Sequence, residues 1–288
     1  MSVLVQAIIL GLVQGLTEFI PISSSAHLVI VPWLFRWNDP ALTSLPFDVA
    51  LHLGTLVAVL SFFAADWVRL IRAGVASVVE RKIGDDQDRR LAWMLFIGCI
   101  PGGIVGVLAE SKIDKLFHRP DAPMRVSALI AMAIIIALLA AVLFAAERLT
   151  KHVREMKSLS FLDAILIGAA QALAIFPGVS RSGATITAGL AMGLKRDVAA
   201  RFSFLLSAPI IAGAGLKSGW EIYKEIHAHS LAASELTLFA IGAITAAISG
   251  FLCIKFLLSF LQKNSTSVFV YYRFIFAALI VFVALTRG

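Results

Sequence analysis

Six stretches of about 20 mostly apolar residues limit what this chain can become. They lie at about 47–65, 91–109, 126–146, 201–219, 236–260 and 268–286. A helix of that length matches the hydrocarbon thickness of a bilayer, and it satisfies its backbone hydrogen bonds internally where no water can. Composition agrees, since 59% of the 288 residues are apolar and only 15% are charged. A water-soluble domain of this size could not bury so much apolar side chain. Disorder, a coiled coil and a disulfide-rich secreted scaffold are excluded by the same figures. Cys99 and Cys253 fall inside apolar stretches and read as small core residues. The net charge of +7 comes without basic runs that carry interleaved aromatics, so it points to loop anchoring and not to nucleic acid. No basic region precedes the first apolar stretch, so that stretch is expected to stay in the mature protein.

Two further apolar stretches are broken at their middles. Residues 3–35 carry Gln14, Glu18, Pro21, Ser23-Ser24-Ser25, His27 and Pro32, and residues 161–194 carry Gln171, Pro177, Gly178 and Ser180-Arg181-Ser182-Gly183. Each half is too short to cross a bilayer. Broken backbone at membrane depth survives only inside protein or against a wet cavity. Both stretches therefore read as re-entrant helical hairpins.

With that layout, 15 Lys and Arg residues fall on one face and 8 on the other. The basic-rich face is expected to be cytoplasmic, which places both termini outside and points the two hairpins at each other. Laying residues 7–25 over 164–182 gives eight identities in nineteen positions, among them Gln14/Gln171, Phe19/Phe176, Ser23/Ser180 and Ser25/Ser182. Each copy precedes three spans, so the copies have opposite orientation, as in many transporters. The expected fold is an all-α polytopic membrane protein. It has six transmembrane helices and two re-entrant helical hairpins in an inverted repeat. It forms a single domain over 1–288, with repeats at about 1–150 and 158–288.

Chemistry concentrates at the two breaks. Gln14 and Glu18 share a helix face at i and i+4, and Pro21 should end that half-helix. Ser23, Ser24 and Ser25 stand where the helix restarts. His27, three residues past Ser24 and four past Ser23, would put a base within reach of a nucleophile. The bland reading is serine caps and a hydrogen-bonded core histidine; ionisable groups inside an apolar segment favour function. In the second break Gly178, Ser180, Arg181, Ser182, Gly183 and Thr185 combine small residues, hydroxyls, helix-start N–H groups and one guanidinium, which suits phosphate. A purely structural Glu18–Arg181 ion pair is the alternative. Arg273 fits either snorkelling to the interface or support of the site. Together these groups suit hydrolysis of a phosphate ester or anhydride carried on a lipid. A transporter or flippase of an anionic polyprenyl-phosphate lipid also explains the repeat, but does not require His27 beside a serine run.

At these residues the sequence resembles the undecaprenyl-diphosphate phosphatase family associated with bacitracin resistance. Gln14 through His27 matches its (E/Q)GxTEFxPxSS stretch with the histidine that ends it, and Pro177 through Thr185 matches PGxSRSGxT residue for residue. The resemblance implies release of the terminal phosphate of undecaprenyl diphosphate, which recycles the lipid carrier for cell-wall synthesis. It also implies a divalent cation (Mg or Ca), and a site facing the extracytoplasmic side of the bacterial inner membrane. By position, Gln14 and Glu18 fall on the family's acidic pair, proposed to hold the metal or position the reacting group. Ser24 falls on its proposed nucleophile, His27 on its catalytic histidine, and Arg181 on its phosphate-binding arginine, beside Ser180 and Thr185. Many members have Glu at the position of Gln14, so cation binding there has one charge fewer. The expected partners are the polyprenyl diphosphate lipid and the bilayer, with a homodimer left open and no nucleic acid.

Overall fold

The computed structural model describes residues 1–117, 126–227 and 233–287. Among them are eleven α-helices and no named strand: α1 (Val3–Phe19), α2 (Ser24–Phe35), α3 (Leu45–Phe62), α4 (Ala64–Val79), α5 (Gln87–Phe117), α6 (Val126–Leu149), α7 (Phe161–Ala172), α8 (Arg181–Ala191), α9 (Arg196–His227), α10 (Ala233–Leu261) and α11 (Ser267–Arg287). Six of them are long and apolar enough to cross a membrane: α3, α5, α6, α9, α10 and α11. These are the six stretches read from sequence, so the protein is a multi-pass, all-helical membrane protein.

The two broken stretches fold as helical hairpins. In the first, α1 and α2 meet at Pro21, and Val3 and Ala7 at its start lie in one apolar cluster with Leu28, Val31 and Trp37 near its end. In the second, the Arg154 backbone pairs with Leu194, and the Thr150 hydroxyl donates to the Leu190 carbonyl. The chain therefore leaves the second hairpin beside where it entered. Its foot is fixed by Arg154, which donates to both oxygens of Asp163, while Asp163 closes a capping box with Ser160. Nearby, Arg196 forks onto Glu147, which also accepts from Thr266.

Small residues let the hairpins dock closely. A Cβ on Gly11 would press on the Gly242 carbonyl of α10, and one on Gly168 would fall on the Gly98 carbonyl of α5. Gly11 and Gly168 are the positions paired by the repeat. A methyl there collides with backbone, which yields less readily than a side chain. Gly168→Ala should therefore cost about 2–3 kcal/mol, read as a lower thermal midpoint in detergent. Gly103→Ala, with open space around it, should leave the midpoint unchanged. Equal midpoints for the two variants would mean that α5 and α7 are not in contact at Gly168.

Residues 66–90, which the layout puts on the basic-rich face, are mostly the 16-residue helix α4. Its apolar residues recur at helical spacing (Val68, Ile71, Val75, Val78), but the run is too polar to register as a span. Residues 118–125 and 228–232, which include Asp121 and His229 on the face expected to be outside, lie outside the described residues.

Candidate active site

Glu18 ends α1 at the first hairpin's tip and is buried. Its Oε1 accepts from Arg181 Nη2 at 2.7 Å. Its Oε2 accepts from the Ser24 hydroxyl at 2.6 Å and from Gln14 Nε2 at 3.2 Å, with His52 Nε2 at 3.9 Å. One carboxylate thus joins both hairpins. Gln14 reaches it because i and i+4 share a face, and Ser24 because Pro21 turns the chain back over the end of α1.

The second helix of each hairpin starts in the same unusual way. Ser23 (φ 77°) and Ser180 (φ 62°) are left-handed, which side chains other than glycine seldom adopt. Each hydroxyl caps its own helix, accepting from Ala26 N and Gly183 N respectively. Each also lies 3.3 Å from the hydroxyl two residues on, Ser25 or Ser182. Such a turn leaves the first N–H groups of α8 free of intrahelical partners, so the start of α8 is suited to an anion. Ser182 donates to the Ile20 carbonyl at 3.2 Å and so fastens one tip to the other.

Not every expected residue joins this cluster. The Ser24 hydroxyl lies against Glu18, not His27, which corrects the base–nucleophile pairing read from their spacing. The His27 ring lies within 2.7 Å of the Ser23 carbonyl through Nδ1 and 2.6 Å of the Tyr272 hydroxyl through Nε2, and it stacks on Phe276. Helical i to i+4 geometry carries the imidazole back over Ser23 and towards α11. Thr185 faces α9, at 2.6 Å from the Ser203 hydroxyl. Gly178 packs on Met132. Arg273 does not snorkel; it is fully buried and donates to the Val179 carbonyl at 3.1 Å.

His27 geometry fixes its proton. A carbonyl only accepts, so Nδ1 carries the hydrogen, and Nε2 of the neutral ring accepts from Tyr272. In protein labelled with 15N-histidine, His27 should report the Nδ1–H tautomer. Tyr272→Phe should move the Nε2 resonance and leave Nδ1 in place. A shift of both, or an Nε2–H tautomer in the parent, would rule this arrangement out.

His52 and Tyr272 were not singled out from sequence. His52 carried a usable signal, an ionisable group inside an apolar span; Tyr272 carried none, because its contact with His27 spans 245 residues of chain.

Among the described residues no group of three or more His, Cys, Asp or Glu side chains could hold a metal. The donors near Glu18 are oxygens: its own carboxylate, Ser24 and the buried Gln14 Oε1, which has no hydrogen-bond donor. A small hard cation is commonly held by one or two carboxylates plus substrate phosphate, so this donor set fits one.

The bacitracin resistance protein BacA family model matches residues 7–279. The chain is similar to proteins named undecaprenyl-diphosphatase from Moorella thermoacetica (47% identical, 96% of each chain), Thermomicrobium roseum (46%, 93% of each) and Caldicellulosiruptor bescii (44%, 98% of each). With both hairpin motifs inside the matched span, the chain belongs to the bacitracin resistance protein BacA family.

Proposed function

We propose that this protein is a membrane phosphatase that hydrolyses undecaprenyl diphosphate to undecaprenyl phosphate and inorganic phosphate. That reaction returns the lipid carrier to cell-wall synthesis. The observation that carries the reading is a buried carboxylate, Glu18, holding both a hydroxyl and a guanidinium where two hairpin tips meet. It is joined by relatives named for this reaction.

Arg181 rests on Glu18 and is the clamp for the terminal phosphoryl group, whose oxygens match its planar fork. When phosphate takes Arg181, Glu18 is left free to accept the Ser24 proton. Ser24 Oγ then bonds to the terminal phosphorus while the bond to the bridging oxygen breaks, and undecaprenyl phosphate leaves. Glu18 passes that proton to the departing phosphate; it then takes a proton from water, which attacks the phosphoserine phosphorus, and returns it to Ser24 Oγ as the Oγ–P bond breaks and inorganic phosphate leaves. Free N–H groups at the start of α8 offset charge on the phosphoryl oxygens. His27, Ser23 and Ser180 shape the two tips. A divalent cation (Mg or Ca), held by Gln14 and Glu18, would neutralise diphosphate charge when bound. The deciding experiment is phosphate release from a C55 diphosphate lipid by purified protein with and without chelator, with acid-stable label sought on Ser24 from a 32P-labelled terminal phosphate. No release would reject the activity; release without label would move attack to water.

The hairpins re-enter the membrane from opposite sides in this reading, within an inverted repeat, with the site open to the extracytoplasmic side of the inner membrane. Repeat-related packing of Gly11 and Gly168, and of Ser23 and Ser180, supports it. Single cysteines at Arg81, Lys151 and Lys195 should then resist an impermeant maleimide in intact cells, whereas one at Asn38 should react. Reaction at Lys195 with protection of Lys151 would mean that residues 161–194 cross completely.

A further inference from the structure

Helix α4 has no part in the site. We propose that it lies in the plane of the membrane–water boundary on the basic-rich side and binds anionic phospholipid there. Its setting is transverse. Arg69 near its start bonds Asp88, Gly74 at its middle faces Ala92, Ser77 accepts from the Trp93 indole, and Glu80 just past its end pairs with Arg89. The twelve positions from Arg69 to Glu80 thus meet only six of α5, Asp88 to Trp93. A helix packed alongside another would match it turn for turn, so α4 crosses the end of a membrane-spanning helix. Its start is pinned by Arg201 of α9, which pairs with Asp66 and sits over the Phe63 ring.

The three sides of α4 differ in chemistry. Leu70 and Ser77 are buried, Leu70 in the main apolar core and Ser77 under the Trp93 indole of α5. Val68, Ile71, Val75, Val78 and Val79 form one outward ridge, 49–77% exposed. Next to that ridge stands Arg72, and Arg81 and Lys82 follow in the turn; none of the three has an acidic partner among the described residues. A shallow depression of about 500 Å³ is lined by Ala64, Ala65, Val68, Arg69 and Arg72. It sets apolar side chains for an acyl chain beside one guanidinium, Arg72, that is free for a headgroup phosphate, while Arg69 is held by Asp66 and Asp88. An apolar ridge flanked by unpaired cations, on a helix too polar to span, is the pattern of an interfacial helix. Unpaired cations at such a boundary favour anionic headgroups. The inference depends on the chain crossing a bilayer, not on the phosphatase reaction.

The test places a bimane probe on Val75→Cys, in protein with Cys99→Ala and Cys253→Ala, reconstituted into liposomes of chain-brominated lipid. Quenching is expected from brominated phosphatidylcholine, and at least twofold more from brominated phosphatidylglycerol at equal mole fraction. The combined change Arg72→Gln, Arg81→Gln and Lys82→Gln should remove the excess while keeping the quenching by phosphatidylcholine. A probe quenched by aqueous iodide and by neither lipid would overturn the interfacial placement. Equal quenching by both lipids in the unaltered helix would overturn the anionic site. Phosphate release is not the readout, so loss of the proposed activity would leave this result standing.

Discussion

Glu18→Gln is expected to lower phosphate release by about 10²–10⁴-fold, carried mainly by kcat. The amide has the same shape, so Ser24 and Arg181 keep a neighbour at Glu18's position. What it lacks is a negative charge to take the Ser24 proton, which lies on an oxygen 2.6 Å from the carboxylate. The Arg181 side resists the change differently. Arg181→Ala leaves Glu18 buried without its cation, and removing one partner of a buried pair costs about 3–5 kcal/mol, so this variant should lose both activity and thermal stability. Glu18→Gln combined with Arg181→Met removes the charges together. It should recover most of that stability and none of the activity, because the two groups act as a unit and their losses do not add. Initial rates on purified, monodisperse protein and melting in detergent decide the matter. Glu18→Gln at more than a tenth of the parent rate would take the carboxylate out of the chemistry.

The parts of this site that could be read from sequence are those written by local periodicity. Apolar runs gave the six crossing helices, and Pro21 and Pro177 marked the breaks. Gln14 and Glu18 could be joined because helix geometry puts residues four apart on one face, whereas the bond from Ser24 to Glu18 depends on the turn at Pro21 and was not legible from spacing. Arg181 could be placed opposite them only through the repeat, which set the hairpins tip to tip. The partner of His27 was not legible because spacing of three or four residues permits a contact without choosing between partners, and in the structure Nε2 meets Tyr272 on α11. His52 and Arg273 each carry the signal of an ionisable group in an apolar span, but their partners lie on other helices, so no local pattern could say what they meet. Helix α4 was missed because its mixed basic and apolar character looks like a loop when judged by hydropathy alone.

Arg273 should behave in the opposite way to an ordinary core residue. It is fully buried, its only hydrogen bond among the described residues goes to the Val179 carbonyl, and its Nε and Nη1 have no partner. A buried charge without a counter-ion is costly, and exchanging such a group for an apolar one of similar size is often neutral or stabilising by about 1–4 kcal/mol. On packing grounds, then, Arg273→Met should melt no lower than the parent, and above it if the methionine fills the space. Activity should move the other way. The bond to Val179 holds the peptide that leads into left-handed Ser180, the residue that opens α8 and sets its free N–H groups. Without that bond the turn can relax towards commoner backbone angles. A hydrogen bond involving a charged group is worth about 1.5–3 kcal/mol, so a loss of about tenfold or more in kcat/KM is expected, carried mainly by KM because phosphate binding is what suffers. Arg273→Lys keeps the charge and a donor and should fall between the two. Parallel loss of melting temperature and activity in Arg273→Met, with kcat falling more than KM, would make Arg273 a packing residue and leave the shape of the α8 start to Ser180 alone.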